Sequence, residues 1–257
     1  MSDMKILLKI AYLGTRYCGY QVQPNGVSIQ QKLNEAAEAT FGFSCDIVGC
    51  SRTDSGVHAN EFCATVAKKG SPDLPTTIPA ERIPFAMSAN LPEDIAVYEA
   101  EWVSDDFHAR YGVIEKEYLY RFYNRAVRSP FEENRSAHVP KHLDDGAILR
   151  MNEAAGTLLG TQDFAAYMAQ GSKIVDTVRT ITRAEVFRKG DVVIFRVAAN
   201  GFLYNMVRIL AGTLLMVGQG KLTADDVKCI TESRDRTQAG ATMPACGLYL
   251  NRVRYPE

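Results

Sequence analysis

Two short stretches of this chain nearly repeat each other, and each is predicted to close an amphipathic helix. Residues 34–42 read NEAAEATFG and residues 152–160 read NEAAGTLLG, with five identities in nine positions. A repeated unit that has to bury the same apolar face indicates that similar structure is built twice. The repeat therefore favours a chain of two similar halves, each combining helices with a sheet.

The helices that hold the two copies have recognisable boundaries. Ser28 opens an S-x-x-Q capping-box pattern, apolar residues then recur on one side, and Gly42 ends the first helix. The second helix is predicted to begin at Asp144 or Asp145 and to run to Gly160.

Strand-like patterns fill much of the remaining sequence. Alternating or continuous apolar runs predict strands over residues 5–13, 95–103, 116–124 and 247–255. Residues 180–187 and 192–199 flank a Lys-Gly-Asp turn, which predicts a β-hairpin.

The stretch SRTDSGVHA, residues 51–59, has neither helical nor strand periodicity and concentrates polar groups. Extended patterns on both sides predict a loop that joins two strands. Asp54 lies at its centre, where a loop on a rigid scaffold commonly presents a catalytic carboxylate. The alternative is an Asx-turn in which Asp54 only bonds its own backbone.

A third predicted helix, residues 202–217, is apolar on nearly every side and is therefore expected to be buried. Arg208 lies at its centre. A buried guanidinium needs an acidic partner, and Asp54 is the candidate. A buried scaffold ion pair without chemistry is the alternative.

The charge balance does not by itself favour a nucleic-acid partner, since 29 Lys and Arg stand against 30 Asp and Glu, for a net charge of -1. The charges are segregated, however. Residues 110–128 hold five basic residues against two acids, and residues 173–208, beginning at Lys173, hold seven against three. If these segments share a face, they predict a path for RNA; solvated exterior surfaces are the alternative.

Cysteine usage and hydropathy indicate a cytoplasmic protein. The N-terminal residues lack the pattern of a signal peptide, and the longest apolar run, residues 209–217, is too short to span a bilayer. The six cysteines form no CxxC pair, so they are expected to be buried thiols. A zinc site is a weaker alternative, because its four residues fit no standard spacing: Cys45, Cys50, His58 and Cys63.

The loop SRTDSGVHA resembles the signature GRTDAGVHA of the tRNA pseudouridine synthase A (TruA) family, with serine replacing the first glycine and the alanine after the aspartate. Further blocks resemble the family in the same order and extend the likeness over nearly the whole chain: FHARYG, KEYLY, GTQDFAAY, TVRTI, GFLYNMVRILAG and AGATMPACGLYL. The chain departs from the family at Gln162 and Tyr167, where histidine or asparagine and phenylalanine are more usual.

The resemblance implies an enzyme that isomerises uridine to pseudouridine in the anticodon stem-loop of tRNA, at positions 38 to 40 in tRNA numbering. It implies that Asp54 is the nucleophile, that Arg208 pairs with it, and that the flipped base stacks on Tyr118 with Leu248 on its other side. Tyr118 as an ordinary core residue is the alternative. The resemblance further implies three substrate-binding residues, namely Arg52, His58 and Arg110.

The implied reaction is redox-neutral, so neither a cofactor nor a metal is expected. The implied partners are tRNA and a second copy of the chain in a homodimer, with no membrane. We expect an α/β (α+β) protein with a mixed, mainly antiparallel sheet flanked by helices, in two pseudo-symmetric halves with a central catalytic cleft. Residues 1–104 would form the half carrying the catalytic loop and residues 105–257 the other, together making one continuous synthase unit.

Two hypotheses from other classes remain open. Aspartic hydrolases also use a DSG core, but they need two such aspartates and this chain has one, so a homodimer would have to supply the second. A non-catalytic RNA-binding protein on the same fold is the other, and the presence of Asp54, Tyr118 and Arg208 argues against it.

Overall fold

The computed structural model describes residues 4–172 and 174–256 of the chain. These residues divide into two compact units. The N-terminal unit comprises the residues up to Ile114 together with those from Leu250 onward, and the C-terminal unit comprises Glu115–Tyr249. That the predicted halves act as one continuous synthase stays a prediction.

The N-terminal unit packs two helices on antiparallel strands. Its strands are β1 (Met4–Tyr12), β2 (Cys45–Gly49), β3 (His58–Lys68) and β4 (Ile95–Ser104), paired in the order β4-β1-β3-β2. Its helices are α1 (Ile29–Phe41), which contacts β2, and α2 (Ile83–Ser88), which contacts β4. The core includes Ile6, Leu8 and Ile10 of β1, because alternate residues of a strand face the same side.

The boundaries of α1 follow the sequence signals. The Ser28 side chain accepts a hydrogen bond from the Gln31 backbone N–H, and Gly42 takes the left-handed conformation, with φ of 78°, that ends the helix. The buried stripe predicted from the periodicity is present. The first turn also bonds to the preceding segment, since the Ile29 and Gln30 N–H groups donate to the carbonyl oxygens of Gly19 and Tyr20.

The C-terminal unit combines five strands with three helices. Its strands are β5 (Glu115–Tyr123), β6 (Ala137–His138), β7 (Gly160–Asp163), β8 (Val178–Lys189) and β9 (Val192–Ala199). They pair in the order β6-β5-β9-β8-β7, parallel between β5 and β6 and antiparallel between the others. The helices are α3 (Asp145–Gly156), α4 (Met206–Gly218) and α5 (Ala224–Ser233). A last strand, β10 (Leu248–Arg254), crosses the boundary between the two units.

The predicted hairpin and the tyrosine-rich strand are confirmed. β8 and β9 flank a turn in which Gly190 has a positive φ of 59°, as a two-residue connection requires. In β5, Tyr120 lies opposite Phe195 and Phe122 opposite Val193, and all four side chains are buried. This face of β5 and β9 is therefore part of the buried core.

Two predicted helix boundaries are wrong. Helix α3 begins after the Asp144 cap but ends at Gly156, not at Gly160, because the N–H groups of Thr157 and Leu158 tighten the last turn with bonds to residues three positions earlier. Helix α4 begins at Met206 instead of residue 202, because Asn205 takes a left-handed conformation with φ of 59° just before it.

The fold class is as expected, a mixed and mostly antiparallel β structure flanked by helices. The expectation of buried cysteines holds for Cys50 and Cys63, but it is wrong for Cys229, which lies exposed on α5. In the described part of the chain, no helix is long and apolar enough to cross a membrane.

Candidate active site

Asp54 lies on the connection between β2 and β3, at the first position of a tight turn. The Val57 N–H donates to the Asp54 carbonyl oxygen at 3.1 Å, and Gly56 has a φ of 78°. A positive φ at the third position is what a type II turn requires. The turn leaves Asp54 half-buried, between the buried side chains of Thr53 and Val57.

Side chains fix the loop at both ends. The hydroxyls of Tyr12 and Thr53 are hydrogen-bonded at 2.7 Å on one side of Asp54. On the other side, the fully buried His58 ring accepts a hydrogen bond through Nδ1 from the Gly14 backbone N–H at 3.0 Å. Both bonds lie in the interior, where the loss of one partner is costly.

A neighbouring segment, residues 14–23, presses directly on this loop. A Cβ atom at Gly14 would lie 2.0 Å from the Val57 carbonyl oxygen, and one at Gly19 would lie 2.8 Å from the Thr53 carbonyl oxygen. Gly19 also has a φ of 109°. Only glycine allows backbones to approach this closely, so the two glycines let residues 14–23 act as a clamp on the loop.

The clamp is tied to the rest of the unit by a charged group. Arg16 Nε and the Tyr17 hydroxyl donate to the two oxygens of Asp94, at 2.7 and 2.6 Å. Burial acts to raise the pKa of Asp94, but the hydrogen bonds from Arg16 and Tyr17 outweigh it and hold that pKa below its usual value. Tyr17 in turn accepts a hydrogen bond from the Ser55 hydroxyl through its carbonyl oxygen.

Two concave pockets flank this arrangement. The larger, about 260 Å³, is lined by Asp54, Arg52 and residues 18–23 of the clamp. The smaller, about 180 Å³, is lined by Arg52 and Arg110 together with residues of β2 and α1. The structure therefore brings three predicted site residues together around adjoining pockets, while His58 supports them from the interior.

The remaining predicted site residues, Tyr118, Arg208 and Leu248, belong to the C-terminal unit. Tyr118 on β5 is only 8% exposed, and its ring packs nearly perpendicular to that of Phe202, with the ring centroids 5.1 Å apart. Leu248 is the first residue of β10 and is also buried.

Arg208 differs from its predicted setting. It lies in the first turn of α4, not at the centre of a longer helix, and it is half-buried. Its Nε donates to the Met243 carbonyl oxygen at 2.6 Å, and its Nη1 donates to Asn205 Oδ1 at 2.7 Å. Two of its nitrogens are thus used to fix the direction of the guanidinium.

The segment that Arg208 binds is held against α4 by close backbone contact. A Cβ atom at Gly212 would lie 2.1 Å from the Ala241 carbonyl oxygen, and one at Gly240 would lie 2.4 Å from the Thr213 backbone nitrogen. The Gly240 N–H also donates to the Thr213 hydroxyl. Small residues on both elements therefore position residues 240–247 beside Arg208.

Much of the predicted basic surface of the C-terminal unit is engaged locally. Four arginines of the two basic segments form ion pairs within the unit: Arg121 with Glu132, Arg125 with Asp191, Arg183 with Glu117 and Arg196 with Glu185. Arg188 donates to the carbonyl oxygen of Leu143. Lys173, the first residue of the second segment, lies outside the described residues.

Comparison with known proteins identifies the family. A tRNA pseudouridine synthase A from Thermoanaerobacter sp. is 41% identical to this chain over 250 residues, covering 97% of this chain and 99% of that protein. The enzyme of the same name from Acetivibrio thermocellus is 41% identical over 256 residues, covering 99% and 100%. The chain belongs to the tRNA pseudouridine synthase A family. It is therefore an isomerase of the pseudouridine synthase class that modifies tRNA.

Other comparisons agree with membership of the tRNA pseudouridine synthase A family. The enzyme of that name from Bacillus pumilus is 42% identical, covering 98% of this chain and 99% of its own length. A family model described as tRNA pseudouridine synthase matches residues 154–256. A solved structure titled as a Cbf5-Nop10-Gar1 complex matches 95% of this chain and 48% of its own chain at 13% identity, but its TM-score of 0.39 carries no argument.

The two departures from the tRNA pseudouridine synthase A pattern have local uses. Gln162 Nε2 donates to the carbonyl oxygens of Thr157 and Leu159, which follow the end of α3. The hydroxyl of Tyr167 bonds Thr231 of α5 at 3.1 Å. Both residues therefore make hydrogen bonds that join one element of the C-terminal unit to another.

The clamp was not predicted from the sequence. Its signal was two glycines at positions 14 and 19, just before the Ser28 cap, in a stretch with no other periodicity. Nor does the described part of the chain group three His, Cys, Asp or Glu residues as a metal site needs, so the zinc alternative has no cluster to rest on.

Proposed function

We propose that this chain isomerises uridine to pseudouridine at positions 38 to 40 of the anticodon stem-loop, with Asp54 as nucleophile and a base flipped out of the stack. The observation that carries the proposal is the setting of Asp54. Its turn is clamped from one side by residues 14–23, and Asp54 and Arg52 line the same pocket. A nucleophile held rigidly at the wall of an open pocket suits attack on a substrate that enters from solvent.

The reaction needs no oxidant or cofactor. The bond between N1 and C1′ breaks, the uracil turns, C5 bonds to C1′, and the proton on C5 leaves while N1 gains one. A carboxylate can assist by forming a covalent bond to the sugar or to the base. Arg208, directed by its bonds to Met243 and Asn205, would pair with Asp54 and keep it ionised.

The flipped base would rest on Tyr118, with Leu248 on its other face. The contact with Phe202 supports this role, because it fixes the orientation of the tyrosine ring before the substrate arrives. Arg52 and Arg110 would bind the RNA backbone, since two guanidinium groups on one pocket favour a phosphate.

We assign His58 a role other than the substrate binding that the resemblance implies. Its ring is fully buried and bonded to Gly14, which supports a role in positioning the loop through the clamp. The proposal therefore assigns His58 to the support of Asp54, and substrate contact to Arg52.

We further propose that the enzyme works in the cytoplasm as a homodimer. The support for a dimer is the set of strongly exposed apolar side chains after β5, including Val127 and Phe131, which a second copy could cover. The support for the cytoplasm is the tRNA substrate, together with cysteines of which none pairs in the described residues.

The decisive experiment measures tritium release from tRNA labelled at C5 of uridine. Wild-type protein should release tritium, and Asp54→Asn should lower the rate at least about 100-fold while tRNA binding persists, because the amide keeps the size but loses the charge. Asp105→Asn is the control, since it removes an exposed carboxylate of the same unit. A residual Asp54→Asn rate above about a tenth of wild type would rule out the nucleophile.

The choice of uridines needs a separate measurement. Pseudouridine mapped in tRNA from a strain lacking this gene should be lost at positions 38 to 40 and restored by the wild-type gene, but not by Asp54→Asn. Loss confined to another arm of the tRNA would contradict the proposed site while leaving the isomerase activity intact.

A further inference from the structure

The turn that carries Arg110 also presents an aromatic ring to solvent. Tyr111 is 79% exposed, although its ring makes two contacts. Its ring packs on that of His108, with centroids 4.4 Å apart, and the Arg110 guanidinium lies 5.9 Å from the Tyr111 ring centroid. The three side chains form a small surface of alternating aromatic and basic groups.

This turn is held in one conformation by its own hydrogen bonds. His108 Nδ1 accepts from the backbone N–H groups of both Arg110 and Tyr111, at 3.1 and 3.2 Å. The Gly112 N–H closes the turn on the His108 carbonyl oxygen at 2.9 Å. A surface ordered before binding loses little conformational freedom when a ligand arrives.

A second anchor comes from beyond β10. The Tyr255 hydroxyl donates to the Ala109 carbonyl oxygen at 2.7 Å, and its ring packs on Phe107 with centroids 4.9 Å apart. Ala109 itself is fully buried. The inward side of the turn is therefore fixed in the N-terminal unit, while Arg110 and Tyr111 point outward.

The location of the turn decides what could bind there. Arg110 shares the smaller pocket with Arg52, and Arg52 also lines the Asp54 pocket. Two guanidinium groups on one pocket attract an anion, and an exposed ring stacks on any planar group. A nucleotide offers both in one unit, a phosphate and a base.

Resting on the proposed function, we propose that Tyr111 is a stacking platform for an unpaired base of the tRNA. Arg110 and Arg52 bind the phosphate next to that base. Aromatic side chains stack on unpaired bases of any sequence, so the platform would position the substrate strand beside the Asp54 pocket without choosing the base. Tyr111 is then a substrate-positioning residue outside the signature loop.

The test measures tRNA binding by fluorescence anisotropy with the full-length chain. Tyr111→Ala should weaken binding about tenfold or more, whereas Tyr111→Phe should stay within about twofold of wild type, because it keeps the ring. Phe85→Ala is the matched control, since Phe85 is 72% exposed on α2 of the same unit and should bind tRNA as wild type does. Equal binding by Tyr111→Ala and wild type would overturn the proposal, as would an equal loss in Phe85→Ala.

Salt dependence separates stacking from charge. Tyr111→Ala should leave the slope of log affinity against log salt unchanged. Arg110→Ala should make that slope shallower by about 1, the value for one phosphate contact. A sedimentation change in Tyr111→Ala from dimer to monomer would instead show that the ring packs on a second copy, and would overturn the platform. Tritium release by the wild-type protein is measured alongside and tests the proposed function separately. If the wild type is active and Tyr111→Ala binds tRNA normally, only the platform is refuted.

Discussion

His58 links the Asp54 loop to the clamp through a hydrogen bond with Gly14. Its Nδ1 accepts from the Gly14 N–H, so the ring is the tautomer that carries its proton on Nε2. His58→Ala would leave that N–H buried without an acceptor, at a cost of about 1–3 kcal/mol. We expect a lower melting temperature and a lower rate of tritium release.

His58→Asn is the informative companion, because its amide oxygen can take the place of Nδ1 as acceptor. Thermal melting of both variants should show that asparagine recovers part of the loss. Identical defects in the two variants would mean that ring packing, not the bond to Gly14, is what the loop needs.

Tyr20→Phe is not expected to lower stability, in contrast to His58→Ala. Its ring stacks on Phe62 with centroids 4.3 Å apart, but its buried hydroxyl has no hydrogen-bond partner among the described residues. Burial raises the pKa of this hydroxyl, which therefore stays protonated. Since an unpartnered buried hydroxyl is unfavourable, Tyr20→Phe should leave stability unchanged or raise it by up to about 1 kcal/mol.

Tyr120→Phe is the control for Tyr20→Phe. The Tyr120 hydroxyl donates to the Pro244 carbonyl oxygen at 2.7 Å, so the same substitution there should cost about 1 kcal/mol. Chemical denaturation of both variants measures the difference. An equal loss of stability in the two proteins would show that the Tyr20 hydroxyl has a partner after all.

At the scale of elements, the clamp makes the loop depend on glycines outside the signature. Gly19→Ala would place a Cβ 2.8 Å from the Thr53 carbonyl oxygen and would also strain a residue with φ of 109°. We expect a loss of more than about 2 kcal/mol of stability and a strong fall in tritium release, because the loop has to move.

Gly42→Ala separates strain from contact. Gly42 also has a positive φ, 78°, but an added Cβ would meet no atom within 4 Å. Its cost should be the conformational one alone, about 1 kcal/mol, with activity kept. If Gly42→Ala lost as much activity as Gly19→Ala, contact between clamp and loop would not be the reason.

An element could be predicted from the sequence when residues next to it in the chain cause its structure. The cap at Ser28, the hairpin around Gly190 and the loop at Asp54 arise from neighbouring residues, so pattern and turn chemistry identify them. The start of α4 could not be predicted in this way. The Tyr204 carbonyl oxygen, just before the helix, accepts a hydrogen bond from the distant Ala169 N–H, and the apolar residues before Met206 are not helical.

Helix α5 was not predicted, although the sequence contains a signal for its start. Thr223 and Asp226 form a full capping box at its start. The clamp, in contrast, had no local signal strong enough to predict it, because its effect on Asp54 exists only where two distant backbones meet.

At the scale of the whole molecule, the ion pairs limit how much of the basic sequence can bind RNA. The two segments contain twelve Lys and Arg, but four arginines are already paired with acids of the same unit. If about three of the other eight side chains contact phosphate, tRNA affinity should fall roughly 20- to 40-fold between about 50 and 200 mM salt.

A titration of affinity against salt checks this number. An affinity that stays flat would contradict an RNA path along these segments. A much steeper fall, as for ten contacts, would mean that the ion pairs open and that their arginines turn to the RNA.

The return of the chain to its first unit has a consequence for its synthesis. Strand β10 and Tyr255 supply contacts to Asn60, Glu61 and Ala109, residues that leave the ribosome long before them. The unit begun first is thus completed last, after the entire C-terminal unit has emerged. Until then the turn that presents Tyr111 has its own hydrogen bonds but lacks the one from Tyr255 to Ala109, so a nascent chain would carry the Asp54 loop before this turn is fully fixed.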